Sequence, residues 1–178
     1  ALGVDVIEAG FAIGSELDSQ TIQTLAQKKS DTTICALART LKADIDAAGD
    51  ALKEAPQARI HTFISTSPLH REKKLGMDKK QVLEQTTTGV RHARTYTDDV
   101  QFSLEDYTRT EPDFAYQVIE AAIKAGATTI NLPDTVGYCT PDEYAGMIQG
   151  VLTHVANADK VTLSTHCHND LGLAVANS

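Results

Sequence analysis

The chain has 178 residues, 42% of them hydrophobic, which is enough for a substantial core in one soluble domain. Its net charge is −8 and no basic run exceeds the lysine pairs that begin at Lys28, Lys73 and Lys79, so a nucleic-acid surface, which needs a concentrated positive stripe, is not expected. No stretch approaches the roughly 18–20 apolar residues of a membrane span, the opening A-L-G-V-D-V-I-E lacks the regions of a signal peptide, and Cys35, Cys139 and Cys167, odd in number and far apart, suit a reducing cytoplasm.

The first residues read as the end of a helix leading into a strand, so the chain is expected to begin mid-fold. Short apolar, β-branched runs then recur at Val4–Gly10, Thr33–Arg39, Arg59–Ser65, Asp99–Glu105, Thr129–Thr135 and Val161–His168. Between them lie helical patterns with apolar residues every three or four positions. One runs through Ile45, Ala48 and Leu52 and stops before Pro56. The clearest runs through Phe114, Val118, Ile119, Ala122 and Ile123 and ends at Gly126.

Strands alternating with helices indicate an α/β fold with a parallel sheet, either an open doubly wound sheet or a (β/α)8 TIM barrel. No Gly-rich phosphate loop follows the first strand, and every unit ends its strand in polar residues: Glu8, Arg39, Ser65, Glu105, Asp134 with Thr135, and His168. Barrel active sites are assembled from the C-terminal ends of many strands, which favours the barrel. Six βα units are present where a barrel has eight, so the expectation is an incomplete TIM barrel spanning residues 1–178, without its first and last strands. The two open edges would have to be covered, paired or swapped with another chain, which makes a homo-oligomer the expected assembly.

Several polar residues stand out against this frame. His166 and His168 are two apart on a strand and point to one face, with Cys167 expected on the other, toward the helices. Neutral imidazoles there suit a divalent metal; the alternative is a hydrogen-bonded surface pair. Asn169 and Asp170 follow at the strand tip, placed to support such ligands. His61 sits in an otherwise apolar strand, where a histidine is more often a satisfied core residue than a functional one. Glu105 is a base candidate at a strand end or else a helix N-terminal acid, an alternative that fits Asp106 better. In N-L-P-D-T-V-G-Y, Thr135 can donate to a substrate carboxylate while Asp134 caps the turn. Thr140, before Pro141 and Glu143, reads as a structural helix start. His70, His92 and His154, among charged neighbours, read as solvated.

Taken together, G-V-D-V-I-E-A-G-F, R-I-H-T-F-I-S-T-S, F-S-L-E-D, A-G-A-T-T-I-N-L-P-D-T-V-G-Y and H-C-H-N-D-L-G-L-A-V-A-N-S resemble the 2-isopropylmalate synthases of the DRE-TIM metallolyase superfamily. The strings span nearly the whole chain in the family order. The resemblance implies an acyltransferase that condenses acetyl-CoA with 3-methyl-2-oxobutanoate, giving 2-isopropylmalate and CoA in leucine biosynthesis, with a divalent metal (Mn, Mg or Zn). It implies that His166 and His168 are metal ligands and that Thr135 binds the 2-oxo acid carboxylate. His61, Ser103, Asn131, Pro133 and Leu37 would line the pocket for the substrate side chain, and Glu105 would be a catalytic glutamate in acid–base chemistry.

There are departures from the family pattern. The D-R-D-G or D-R-E-G motif that carries the acidic metal ligand and a substrate-binding arginine is absent. A later asparagine ligand falls beyond Ser178, and no regulatory domain is present. Ala12 replaces a common proline, and Pro68 a common acidic residue. The expectation is therefore a catalytic-barrel segment that is inactive by itself. Citramalate or homocitrate synthases, a lyase running the reverse cleavage, and a non-catalytic assembly module are the alternatives.

Overall fold

The computed structural model describes residues 3–28 and 31–178. The helix end expected at residues 1–2 and the second lysine of the pair at 28–29 lie outside the described residues. Six strands alternate with helices: β1 (Val6–Phe11), α1 (Glu16–Ala26), β2 (Thr33–Arg39), α2 (Lys42–Leu52), β3 (Ala58–Ser65), α3 (Pro68–His70), α4 (Lys79–Ala93), β4 (Asp99–Glu105), α5 (Pro112–Ala125), β5 (Thr129–Asp134), α6 (Pro141–His154), β6 (Thr162–Cys167) and α7 (Ala174–Asn177). All neighbouring strands pair in parallel in the order β1-β2-β3-β4-β5-β6, forming a curled, incomplete TIM-like barrel. The expected incomplete barrel is therefore what the chain forms. β1 and β6 are its two edges.

Strand periodicity divides the sheet into two faces. Ile34, Ala36 and Ala38 of β2, Ile60 and Ile64 of β3, Val100, Phe102 and Leu104 of β4, and Ile130 and Leu132 of β5 are buried in one core. That core includes Ile45, Ala48 and Leu52 of α2, Val82 and Val90 of α4, and Phe114, Val118, Ile119 and Ala122 of α5. These helical residues recur every three or four positions because one stripe of each helix must be covered. The intervening strand residues point to the concave side.

Local signals fix where elements begin and end. Asp78 and Thr140 form capping boxes with Gln81 and Glu143, so the structural reading of Thr140 holds. α5 ends at Gly126, whose φ of 115° lies in the left-handed region that glycine tolerates. β1 lies slightly later than the apolar run suggested, at Val6–Phe11. Its register with β2 shifts between Glu8 and Phe11, an irregularity that lets Phe11 pair opposite Leu37.

The crossover from β3 to α4 shapes the mouth of the barrel. It passes through α3 into a π-helical turn at Arg71–Leu75, stopped by left-handed Gly76 (φ 63°). Met77 N donates to the carbonyl of Arg71, and the Arg71 guanidinium bonds Glu111 at 2.9 and 3.2 Å while lying 4.8 Å from the Phe114 ring centre. The turn is thereby anchored to the start of α5.

Two glycines test the packing. A methyl group added at Gly89 in α4 would meet the Thr40 Cβ at 2.8 Å and its Cα at 3.1 Å, whereas one added at Gly146 in α6 meets nothing within 4 Å. Gly89→Ala is expected to destabilise the fold by about 1–3 kcal/mol through overpacking. Gly146→Ala is expected to stabilise it by roughly 0.5–1 kcal/mol through reduced freedom of the unfolded chain. Urea denaturation of both variants measures the two signs.

Candidate active site

The concave side-chain rows meet in a cavity of about 220 Å³ lined by Glu8, Leu37, His61, Phe63, Ser103, Glu105, Asn131, Pro133, Thr135, His166 and His168. Each expected site residue is among them. Register explains the convergence: Leu37 stands beside His61, Phe63 beside Ser103, Ser103 beside Asn131, and Pro133 beside His166. Residues two apart on these strands share the face, so each strand supplies a short column to the same space.

His61 is buried with both ring nitrogens partnered, as a satisfied core histidine would be, and it also lines the cavity. Its Nδ1 contacts Glu8 Oε2, and its Nε2 lies 2.6 Å from Ser103 Oγ, to which Asn131 Nδ2 donates at 2.7 Å. Burial raises the Glu8 carboxyl, but the hydrogen bond and charge of His61 outweigh it, and Glu8 is held below the usual carboxylate range. An ionised Glu8 can only accept, so Nδ1 carries the imidazole proton. Ser103 Oγ accepts from Asn131 and faces His61 Nε2. A hydrogen-bonded chain, Asn131–Ser103–His61–Glu8, joins residues of four strands, β5, β4, β3 and β1. Cys35 adds to it, its thiol 3.7 Å from Glu8 Oε2 and pushed up by burial.

Thr135 Oγ1 accepts the backbone N–H of Asp106 at 2.9 Å, which leaves the threonine proton available to an acceptor in the cavity. Asp134 is buried and turned away; it accepts from Thr108 Oγ1 at 3.0 Å and from the N–H of Cys139 at 3.0 Å, the turn-bracing role expected of it. Glu105 ends β4 and lines the cavity, and Asp106 after it holds the N-cap position of a 3-10 helical turn at Tyr107–Arg109, the place that the helix-start reading fitted better. It accepts from Ser65 Oγ at 2.8 Å and from Lys74 Nζ at 2.6 and 2.9 Å.

The rings of His166 and His168 stack with centres 5.2 Å apart and planes inclined by 23°. Pro133 pairs with His166 and Asp134 with Cys167, which puts Cys167 on the face opposite the histidines, as expected. Burial, and then the charges of His168 and His61, push the His166 imidazole down. It is therefore neutral at pH 7, the form whose lone pair can bind a metal. The donor chemistry fits two nitrogen positions of a borderline divalent ion. Among the described residues no group of three or more His, Cys, Asp or Glu side chains is arranged to hold one. Asn169 does not support the histidines: its Oδ1 accepts from the N–H of Ala174.

Sequence reading passed over two lining residues, Glu8 and Phe63. Glu8 was visible as a polar strand end, and Phe63 shares the face of His61 by simple alternation. Of the three histidines read as solvated, His154 is exposed as expected, though it also stacks on a ring, whereas His92 and His70 are half-buried beside acidic groups. His92 Nε2 bonds Asp46 at 2.5 Å, His154 stacks on Tyr116, and His70 Nδ1 is buried 3.6 Å from both Glu105 and Asp106.

The HMGL-like family model matches residues 1–178. The chain belongs to the HMGL-like family. It is 54% identical over 175 residues to a 2-isopropylmalate synthase from Nitrosococcus oceani, covering 98% of this chain and 34% of that protein. It is 55% identical over 177 residues to one from Caulobacter vibrioides, covering 99% and 34%. It thus spans about a third of the length of these curated relatives. Among solved structures, hydroxymethylglutaryl-CoA lyase from Pseudomonas aeruginosa superposes with a TM-score of 0.77 at 21% identity, covering 98% of this chain and 59% of that one. The HMG-CoA lyase from Brucella melitensis gives 0.78 at 22%, covering 98% and 63%. At such identities the likeness is one of fold.

The Glu8–His61 contact makes a pH prediction. A carboxyl held low when folded contributes stability that is fully present above its unfolded value of about 4.3 and is lost as pH falls through the folded value. The melting-temperature gap between the parent and Glu8→Gln is expected to be widest above about pH 5 and to close on further acidification. A gap that stays constant over that range would contradict the assignment.

Proposed function

We propose that this chain is a segment of the catalytic barrel of a 2-isopropylmalate synthase, which joins acetyl-CoA to 3-methyl-2-oxobutanoate and releases CoA. The observation that carries the reading is the convergence of Thr135, the Ser103–His61–Glu8 chain, Glu105 and the two histidines on one cavity. Relatives more than 50% identical that bear this enzyme's name support it.

Each residue has a task that its surroundings permit. His166 and His168 would hold a divalent ion (Mn, Mg or Zn), which supplies Lewis-acid polarisation of a ketone. Thr135, its proton uncommitted, donates to the 2-oxo acid carboxylate. Leu37, Pro133 and the methylene parts of the Ser103–Asn131 row receive the branched side chain. Because His61, Ser103 and Asn131 bond one another, an apolar branch can lie beside them without stripping a donor of its partner. Glu105 takes part in moving the acetyl methyl proton. The methyl carbon then bonds the ketone carbon, and water cleaves the thioester, so that CoA leaves as the thiol.

The same reading covers partners and place. The substrates are acetyl-CoA and a small 2-oxo acid, the assembly a homo-oligomer, and the compartment the cytoplasm. All three cysteines are free, and no helix of the described residues is long and apolar enough to cross a membrane. Nucleic acid is not a partner of so acidic a chain. Among the described residues the two imidazoles find no third His, Cys, Asp or Glu ligand, which is too few for turnover by this segment alone.

Assaying CoA thiol release by the protein at the relatives' full length tests the reading. We expect kcat/KM for 3-methyl-2-oxobutanoate to exceed that for pyruvate by about tenfold or more, the scale on which an apolar pocket discriminates. Preference for pyruvate or 2-oxoglutarate would move the protein to the citramalate or homocitrate branch, and no release with any 2-oxo acid would leave an assembly role. His168→Ala is expected to lower metal affinity by at least about tenfold, read by titration calorimetry with Zn or Mn.

A further inference from the structure

Glu105 does not face the cavity alone. Lys74 Nζ lies 2.6 Å from its Oε1, 2.9 Å from its Oε2 and 3.2 Å from Ser65 Oγ, which itself donates to Oε2 at 2.8 Å. Directionality is settled by chemistry: the ammonium only donates, the carboxylate only accepts, and the hydroxyl does each once. A closed triangle results, in which both carboxylate oxygens are engaged and rotation about the last torsion of Glu105 is blocked.

An exposed lysine–carboxylate pair generally contributes little, because two mobile side chains must be ordered in water. Here the two ends are held beforehand. Ser65 and Glu105 are paired across β3 and β4. Lys74 sits in the π-helical turn that Gly76 terminates and that Arg71, bonded to Glu111 over Phe114, ties to α5. The Glu105 side chain is only 22% exposed. Loop and strand therefore present the ammonium to the carboxylate in a partly desolvated place where a fixed charge acts strongly.

We propose that Lys74 is a positioning residue for Glu105, holding its carboxylate in one orientation at the cavity, with Ser65 as the shared hydrogen-bonding partner. This rests on the reading of the cavity as a condensing site in which Glu105 moves a proton. The other charged groups around Glu105 are His70 on α3 and the adjacent Asp106, with Arg109 behind it, and the histidines and Glu8 across the cavity. Lys74 is the cation in direct contact, so its removal should free the carboxylate to rotate, while Lys74→Arg should keep a charged donor on it.

The test combines kinetics with a readout that needs no turnover, in the protein at the relatives' full length. In [5-13C]glutamate-labelled protein, the Glu105 signal is assigned by its loss in Glu105→Gln, and its position and width are compared by NMR at one fixed pH. Lys74→Met is expected to move and broaden that signal, because the carboxylate loses its ammonium partner and can rotate. It should also lower kcat at least about tenfold, with KM for the 2-oxo acid changed less than about twofold. Lys74→Arg should restore most of kcat, and Ser65→Ala should move the signal by less.

An unmoved Glu105 signal in Lys74→Met, an unchanged kcat, or equal impairment in Lys74→Arg would each overturn the proposal. A signal that moves in Lys74→Met while the unsubstituted protein shows no condensing activity would support the Lys74–Glu105 coupling and count against the condensing reading instead.

Discussion

Each strand of the sheet has a face covered by helices and a face left open, and the continuous pairing from β2 to β6 ties the heights of all the open-face residues together. The covered face must be apolar, because helices with apolar stripes lie on it. The open face can hold polar groups only where they find partners on neighbouring strands. His61 beside Leu37, Ser103 beside Phe63, and Asn131 beside Ser103 follow from that pairing. A slip of one residue in β3 would turn Thr62 and Ile64 toward the cavity and drive His61 into the helices. The apolar core thus sets the positions of the polar cavity residues.

Once the rows are fixed, electrostatics decides the state of each group. The ionised Glu8 accepts from His61 Nδ1, which orients the ring so that Nε2 meets Ser103 Oγ. Neutral His166 follows from burial and neighbouring imidazoles. Because the groups satisfy one another in sequence, the cavity is ordered before any ligand arrives. Substitution in the middle of the chain leaves partners on both sides unpaired, which costs more than a single hydrogen bond.

The fold was readable because parallel strands covered by helices carry β-branched runs, and helices carry apolar residues at their own period. Five of the six strands start and end within one residue of those runs. β1 departs further because its irregularity depends on pairing with β2. The cavity residues were readable through strings that resemble a family, whereas Phe63 by itself is indistinguishable from core. His70 and Lys74 were not readable. Their partners Glu105 and Asp106 lie more than 30 residues away, brought close by a π-helical turn whose position no local pattern announces.

Asp106 satisfies two demands at once. Its backbone takes φ 66°, and its fully buried carboxylate faces the Arg109 guanidinium, accepting from Nε at 2.7 Å. The two demands act as independent evolutionary filters. Glycine passes the backbone filter but leaves a guanidinium without its anion; glutamate keeps the charge but strains the turn; asparagine keeps the turn but gives up the charge. Changing this position alone therefore sacrifices either the backbone of the short turn between β4 and α5 or the anion that Arg109 needs.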